Sequence, residues 1–180
     1  ALIWPFWSLG GVEGLFAWRW LSTLAVFGLL WTTARRIGSR GFLGLLVLAL
    51  CALVYRLRSQ IRPETLVAIL LALEIHLLEA RRHGGRDRVA WVVAIAWAWA
   101  NTHISWYLGF IVLGAYLLDD LARARGDAAA AGRARRLAPV TIAAFAISFV
   151  NPWGWRALWQ PFEYYLHWRL EPIFQTIVEL

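Results

Sequence analysis

The chain contains no lysine and no methionine, and it has a single cysteine among its 180 residues. Cys51 lies within an apolar run, and a lone cysteine excludes a disulfide within the chain. All 18 basic residues are therefore arginine, and the formal net charge is +7. Because methionine is absent and the apolar pattern is already under way at Ala1, we expect the chain to be part of a longer protein.

Charged residues are also missing from one long stretch, residues 89–118. Water-soluble folds rarely contain such a stretch, whereas a membrane-spanning helix needs about 20 apolar residues. The chain is 61% hydrophobic and has 13 tryptophans, a residue that favours the membrane–water interface. We therefore predict an all-α, polytopic transmembrane helix bundle that forms a single domain over residues 1–180.

Six apolar runs, separated by polar segments, give the predicted order of membrane helices. The runs cover residues 12–33, 42–55, 65–78, 89–100, 104–118 and 137–150. Most of them are short for a full crossing, so we expect flanking arginine and tryptophan side chains to extend them. Residues 151–180 are rich in aromatic residues and form a predicted outer-face segment. Residues 1–11 are either interfacial or the end of a preceding helix, broken at Pro5 and ended by glycine.

The distribution of arginine predicts the orientation of these helices. Residues 34–41, 80–88 and 119–136 carry three, four and five arginines, and we interpret all three segments as loops on one side. Because membrane proteins concentrate basic residues in cytoplasmic loops, we predict a multi-pass protein of a bacterial plasma membrane with these loops in the cytoplasm. The polar residues between Asn101 and His103 then form the turn of a hairpin on the outer side.

One group of arginines does not follow this rule. Arg56, Arg58 and Arg62 would lie on the outer side, next to Pro63 in the first turn of a helix. The free amides of a helix N-terminus and nearby guanidinium groups together form an anion site that suits phosphate. On the outer side of a membrane, the simplest source of phosphate is a lipid-linked substrate. Alternatively, these arginines only anchor the helices at lipid headgroups.

Two further polar groups are predicted on the same side, around His103 and around Asn151. The remaining candidate substrate-binding residues are Arg19, Asn101, His103, Asn151, Trp153, Trp155 and Arg156. Structural roles are the alternative, as helix caps, as a turn at the Asn-Pro pair, or as an aromatic belt. No metal site is predicted, because no second histidine lies at ligand spacing from His103.

Glu74 and His76 are the polar residues of an otherwise apolar run. Two residues apart on a helix, they point to different faces. We expect each of them to be buried and to pair with a neighbouring helix.

Three short motifs resemble those of a group of bacterial multi-pass proteins related to the GT-C glycosyltransferases, which include mannosyl- and arabinosyltransferase-like enzymes. The motifs are Arg62-Pro63-Glu64, Trp99-Ala-Asn-Thr-His103 and Asn151-Pro-Trp-Gly-Trp155. The run from Gly11 to Arg40 is similar to the segment that follows the first outer loop of those enzymes. The group usually has Asn-Leu-His-Gly, and here Thr102 and Ile104 replace the leucine and the glycine.

The resemblance implies an integral-membrane glycosyltransferase that takes a sugar from a polyprenyl-phosphate donor on the outer face of the membrane. An acidic residue would deprotonate the acceptor, and arginine side chains would hold the leaving phosphate. The family's usual aspartate would lie upstream of Ala1, which leaves Glu13 and Glu64 as the candidates for the base within this chain.

The expected partners are membrane lipids and the polyprenyl-phosphate-linked sugar, and nucleic acid is not expected because the arginines lie between membrane helices. No cofactor is predicted, and the sequence leaves the participation of a divalent metal open. The alternative function is that of a non-catalytic polytopic membrane protein, either a transporter of lipid or polysaccharide or an assembly scaffold.

Overall fold

The computed structural model describes residues 3–56 and 64–172. Over these residues the chain is helical and has no β-strand, which confirms the all-α prediction. The helices are α1 (Trp4–Ile37), α2 (Phe42–Tyr55), α3 (Glu64–Arg82), α4 (Trp91–Ala100), α5 (Tyr107–Arg123), α6 (Ala128–Ile147) and α7 (Trp155–Leu166). Single 3-10 turns cover Ile104–Trp106 and Trp168–Leu170.

Helix α1 is bent sharply at Gly11, whose φ of 53° and ψ of −130° are not helical. Glycine adopts such a positive φ without the strain that a Cβ would introduce. The bend folds the first segment back, so the rings of Phe6 and Trp18 lie 5.1 Å apart between centroids. Gly14 permits this approach, since a Cβ there would overlap the Phe6 carbonyl oxygen. The predicted break at Gly11 is thus confirmed, whereas Pro5 lies in the first turn and begins the helix.

Residues 119–136 do not form the loop that was predicted from their charge. Helix α5 continues to Arg123 and α6 begins at Ala128, which leaves only a short turn between them. The Asp127 carboxylate caps α6 by accepting the Ala129 amide at 2.8 Å. The first four residues of α6 are alanine, the strongest helix former. Local helix propensity therefore outweighs the cluster of arginines, and the prediction of a loop was wrong.

Helices α4, α5 and α6 are consecutive and alternate in direction. At one end Arg136 pairs with Asp87, just before α4, at 3.3 Å. At the other end the side-chain amide of Asn101 donates to the Val150 carbonyl at 3.1 Å. Helices α4 and α6 are therefore parallel, and α5 returns between them. The predicted hairpin at the Asn101 turn is present.

Helix α1 packs along α3 in the same direction. The Trp18 indole N–H donates to the Thr65 hydroxyl at 3.1 Å near the start of α3. Further along, the Thr33 hydroxyl lies 2.8 Å from His76 Nδ1. His76 therefore pairs with a neighbouring helix, as predicted for it.

The hydrophobic core lies among α3, α4, α5 and α6. Its largest side chain is Trp99, which is 1% exposed, and Val92, Leu113 and Leu137 are equally well buried. Leu158 of α7 also belongs to this core, which fixes α7 against the bundle. Helix α2 is different. It consists of apolar residues with one glycine, one cysteine and one tyrosine, and none of them is buried.

The arginine-rich segments meet at one end of the bundle, which we refer to as the arginine end (Arg36, residues 81–88 and residues 119–136). Asp120 is 1% exposed there and accepts from Arg82 at 3.1 Å and from Arg133 at 2.9 Å. A Cβ at Gly85 would overlap the Arg36 guanidinium, so the end of α1 also lies here. The structure thus brings together the segments that the sequence assigned to one side.

Two stretches of the described residues are long and apolar enough to cross a membrane, α1 (Trp4–Ile37) and Ile104–Arg123. Helices α2 and α4 are also apolar, but each is shorter than a crossing requires. By length and composition the structure therefore supports two spans, and the predicted bundle of six spans is not confirmed.

Candidate functional site

Most of the predicted site residues meet at the other end of the bundle. It is formed by the start of α3, residues 101–106 and residues 148–168, and we refer to it as the tryptophan end. Trp97 and Asn101 both donate to the Val150 carbonyl, at 3.0 Å and 3.1 Å, and so join the end of α4 to the end of α6. Helix α7 packs against the Ile104–Trp106 turn. The Asn101 and Asn151 segments are therefore neighbours, as predicted.

His103 is held in the turn between α4 and α5 by Ser105. Its Nδ1 accepts the Ser105 backbone amide at 3.1 Å and lies 2.8 Å from the Ser105 hydroxyl oxygen. That oxygen in turn accepts the Trp99 indole N–H at 3.2 Å, which ties the turn to the core. Because an Nδ1 that accepts an amide carries no proton, the neutral ring has its proton on Nε2. The Nε2–H group is the one available to donate to a substrate.

The charge state of His103 depends on its burial and on Glu64. Burial lowers the pKa of His103 from its ordinary value, and the Glu64 carboxylate opposes part of this shift. Glu64 is exposed in the first turn of α3, where a helix N-terminus favours negative charge. At neutral pH the tryptophan end therefore presents a neutral imidazole, with the Glu64 carboxylate at the same end.

The two predicted asparagines organise the backbone of the site. The Asn101 amide donates to the Trp97 and Val150 carbonyls. The Asn151 amide donates to the Ser148 and Gly154 carbonyls at 2.9 Å and 3.0 Å, and its oxygen accepts the Trp153 amide. Among the described residues, both side-chain amide groups donate to backbone carbonyl groups. Direct contact of these two asparagines with substrate stays a prediction.

A cavity of about 410 Å³ lies along the polar face of α7. It is lined by Trp153, Arg156, Ala157, Gln160, Glu163 and Trp168. Arg156, Gln160 and Glu163 are spaced four and three residues apart, so they share one face of the helix. Arg156 is exposed and has no ion pair with any described residue. The cavity therefore combines a guanidinium group, a hydrogen-bonding amide, a carboxylate and two indole rings.

Three other predicted site residues, Arg19, Glu13 and Trp155, do not line this cavity. Arg19 is half-buried next to Trp18, whose bond to Thr65 places it beside the start of α3. Glu13 is exposed on α1, two residues after the bend. Trp155, the first residue of α7, is 61% exposed and does not line the cavity.

Arg56 follows α2 and lies deeper along the bundle than predicted. The rings of Phe27 and Tyr55 are 5.6 Å apart, so the end of α2 is level with Phe27. Phe27 is about 13 Å along α1 from Trp18, at 1.5 Å per residue, toward the arginine end. Arg58 and Arg62 lie outside the described residues.

Sequence reasoning did not single out Ser105 or Gln160, and it did not place Glu163 and Trp168 among the predicted site residues. Ser105 fixes His103, and the other three line the cavity. The four- and three-residue spacing from Arg156 was a signal for Gln160 and Glu163, but the tail was interpreted as a mixture of aromatic and polar residues without a helical period. Within the described residues, no three histidine, cysteine, aspartate or glutamate side chains are grouped so as to hold a metal ion.

Comparison with protein-family models, with curated proteins and with solved structures gives no match. The function of the chain must therefore be argued from the chemistry of the tryptophan end.

Proposed function

We propose that this chain is the membrane portion of a glycosyltransferase of the GT-C type, which moves a sugar from a polyprenyl-phosphate donor on the outer face of a bacterial plasma membrane. The observation that carries the proposal is the α7 cavity, which Arg156, Gln160 and Glu163 line together with Trp153 and Trp168. The motif resemblance described above is the second support. Both concern the same end of the molecule.

The cavity matches the two parts of such a donor. A guanidinium group binds phosphate oxygens through a planar fork of N–H donors, and Arg156 is free to do so among the described residues. Indole rings offer flat apolar surfaces to a sugar ring, and Gln160 and Glu163 offer hydrogen bonds to its hydroxyl groups. As the donor bond breaks, the leaving phosphate gains charge, and a fixed cation stabilises that charge.

Glu64 and His103 are the proposed acid–base pair. His103 and Glu64 lie at the same end of the molecule as the cavity, and the charge of Glu64 acts on the His103 ring. Either group would take the proton of an acceptor hydroxyl, whose oxygen then forms the new bond to the sugar. Arg19, Arg58 and Arg62 would add positive charge around the lipid phosphate.

The proposed membrane arrangement has six spans, α1 to α6, with the arginine end in the cytoplasm and the tryptophan end outside. The exposed apolar surface of α2 supports it, since such a surface suits lipid contact. Helix α7 has Trp155, Trp159 and Phe162 on its exposed surface and Leu158 buried, as expected of a helix lying in the interface.

The proposal is tested with the protein that contains this chain, reconstituted in vesicles with polyprenyl-phosphate sugars. We expect Arg156→Gln to weaken donor binding by about ten- to hundredfold, the value of one hydrogen-bonded charge pair. Arg125→Gln is the matched control, because Arg125 is exposed in the turn before α6 at the arginine end. Equal binding by the two variants would contradict the phosphate site. Binding without sugar transfer would instead favour a non-catalytic transporter.

A further inference from the structure

A buried acid lies inside the bundle, where α3 packs against α4 and α5. Glu74 is 2% exposed, and its Oε1 has no hydrogen-bond partner. The partner that the sequence led us to expect on a neighbouring helix is therefore not found among the described residues. Leaving an ionised carboxylate in such a place costs several kcal/mol, about as much as removing its partner from a buried ion pair. The cost is avoided when the group carries a proton.

The surroundings of this carboxyl group are uncharged on each neighbouring helix. Helix α4 contributes the ring of Trp99, and α5 contributes Gly109, where an added Cβ would lie 2.9 Å from Glu74 Oε2. The glycine thus lets the carboxyl group rest against the α5 backbone.

The charged residues of the packed helices lie elsewhere. On α1, Arg19 adjoins the residue bonded to Thr65 and Arg36 lies against Gly85, so both are near the ends of α3. Helix α4 has no charged residue. The charged residues of α5 are at its last turn, where Asp119 and Asp120 pair with Arg82.

Three other titratable groups lie nearer the arginine end and contact one another. The Tyr116 hydroxyl donates to Glu79 Oε1. Glu79 Oε2 in turn lies 3.1 Å from Nδ1 of His83, which is 38% exposed. Gly109, which Glu74 adjoins, lies about two helical turns before Tyr116 on α5, and no hydrogen bond among the described residues joins these groups to Glu74.

We propose that Glu74 is a proton-binding site inside the membrane, with a side chain that is a carboxylic acid at neutral pH. Uptake of one proton from water converts its carboxylate into the neutral acid and removes the charge from a place that offers it no partner. This site needs no sugar donor and is independent of the proposed transferase reaction.

Infrared spectroscopy of the protein in lipid vesicles tests the proposal. The carbonyl band of a protonated carboxylic acid should be present at neutral pH, should be lost in Glu74→Gln, and should remain in the control Glu163→Gln. On transfer to heavy water, the band should shift as deuterium replaces the proton.

One result would overturn the inference, namely a spectrum of Glu74→Gln that matches the parent protein in the carbonyl region. Should Glu74→Gln fail to fold, Glu74→Asp serves in its place, since a retained acid in a changed position should move the band rather than remove it.

Discussion

At the scale of single residues, the polar groups of this chain fall into two kinds. Asp120 and His76 have partners on other helices. Arg156 and Glu74 do not have such partners among the described residues. Polar groups of the first kind fix helices to one another, whereas an unpartnered polar group in or near a membrane is a candidate for binding.

The turn at His103 should loosen in acid. Burial lowers the pKa of His103 in the folded state, so the opened turn binds a proton more readily than the closed turn does. The stabilising effect of neutral His103 is therefore present above about pH 6.5, the ordinary pKa, and is lost as the pH falls below it. Hydrogen exchange of the Ser105 amide, corrected for intrinsic rates, should show this loss of protection.

His103→Asn is the control for that measurement. An asparagine oxygen can still accept the Ser105 amide two residues ahead, but it does not titrate in this range. The protection of Ser105 should then be independent of pH between 5 and 8. Protection that falls equally in both proteins would show that another group is responsible.

Asp120 should be the most important residue of the arginine end. It is 1% exposed between Arg82 and Arg133, and its removal leaves two cations without their shared acceptor. We expect Asp120→Ala to lower the free energy of unfolding by about 3–5 kcal/mol. Asp119→Ala, which removes a more exposed partner of Arg82, should cost about 1 kcal/mol or less. Unfolding in detergent measures both, and equal losses would contradict the buried network.

At the scale of helices, the sequence correctly predicted the features that follow from the length of an apolar run or from a local residue signal. The bounds of α2 were predicted correctly because an apolar run lies between glycine and arginine. The break at Gly11 was signalled by paired glycines. The start of α6 was not predicted, because arginines were weighed above the alanine run and the Asp127 cap. The polar face of α7 was missed because its period of three to four residues is hidden among aromatic residues.

The bend in α1 should depend on glycine at one position. Gly11 has a φ of +53°, a conformation that costs other residues about 1–3 kcal/mol. Gly11→Ala should therefore open the bend and separate Phe6 from Trp18, a change that the fluorescence of single-tryptophan variants detects. Gly28 is helical with open space around its Cβ position, so Gly28→Ala should leave the bend unchanged and stabilise α1 by up to about 1 kcal/mol. A bend that survives Gly11→Ala would show that packing alone maintains it.

At the scale of the whole molecule, the charge pattern predicted which segments meet, and the contacts agree. The arginine segments lie together through Asp120 and Asp87, and the Asn101 and Val150 segments lie together at the other end. The cavity along α7 was missed because the polar period of that helix is hidden among aromatic residues. The Glu74 site could not be predicted, because it depends on which faces of α3, α4 and α5 pack together, and a single sequence does not show that.

The proposed function depends on the two ends lying on opposite sides of a membrane, and labelling tests this most directly. Cys51, exposed on α2, is first replaced by alanine. Single cysteines are then introduced by Pro152→Cys at the tryptophan end and by Arg125→Cys at the arginine end. In intact cells a membrane-impermeant maleimide should label the first protein, and it should label the second only after the membrane is opened. Labelling of both from the same side, or in the reverse order, would contradict the account.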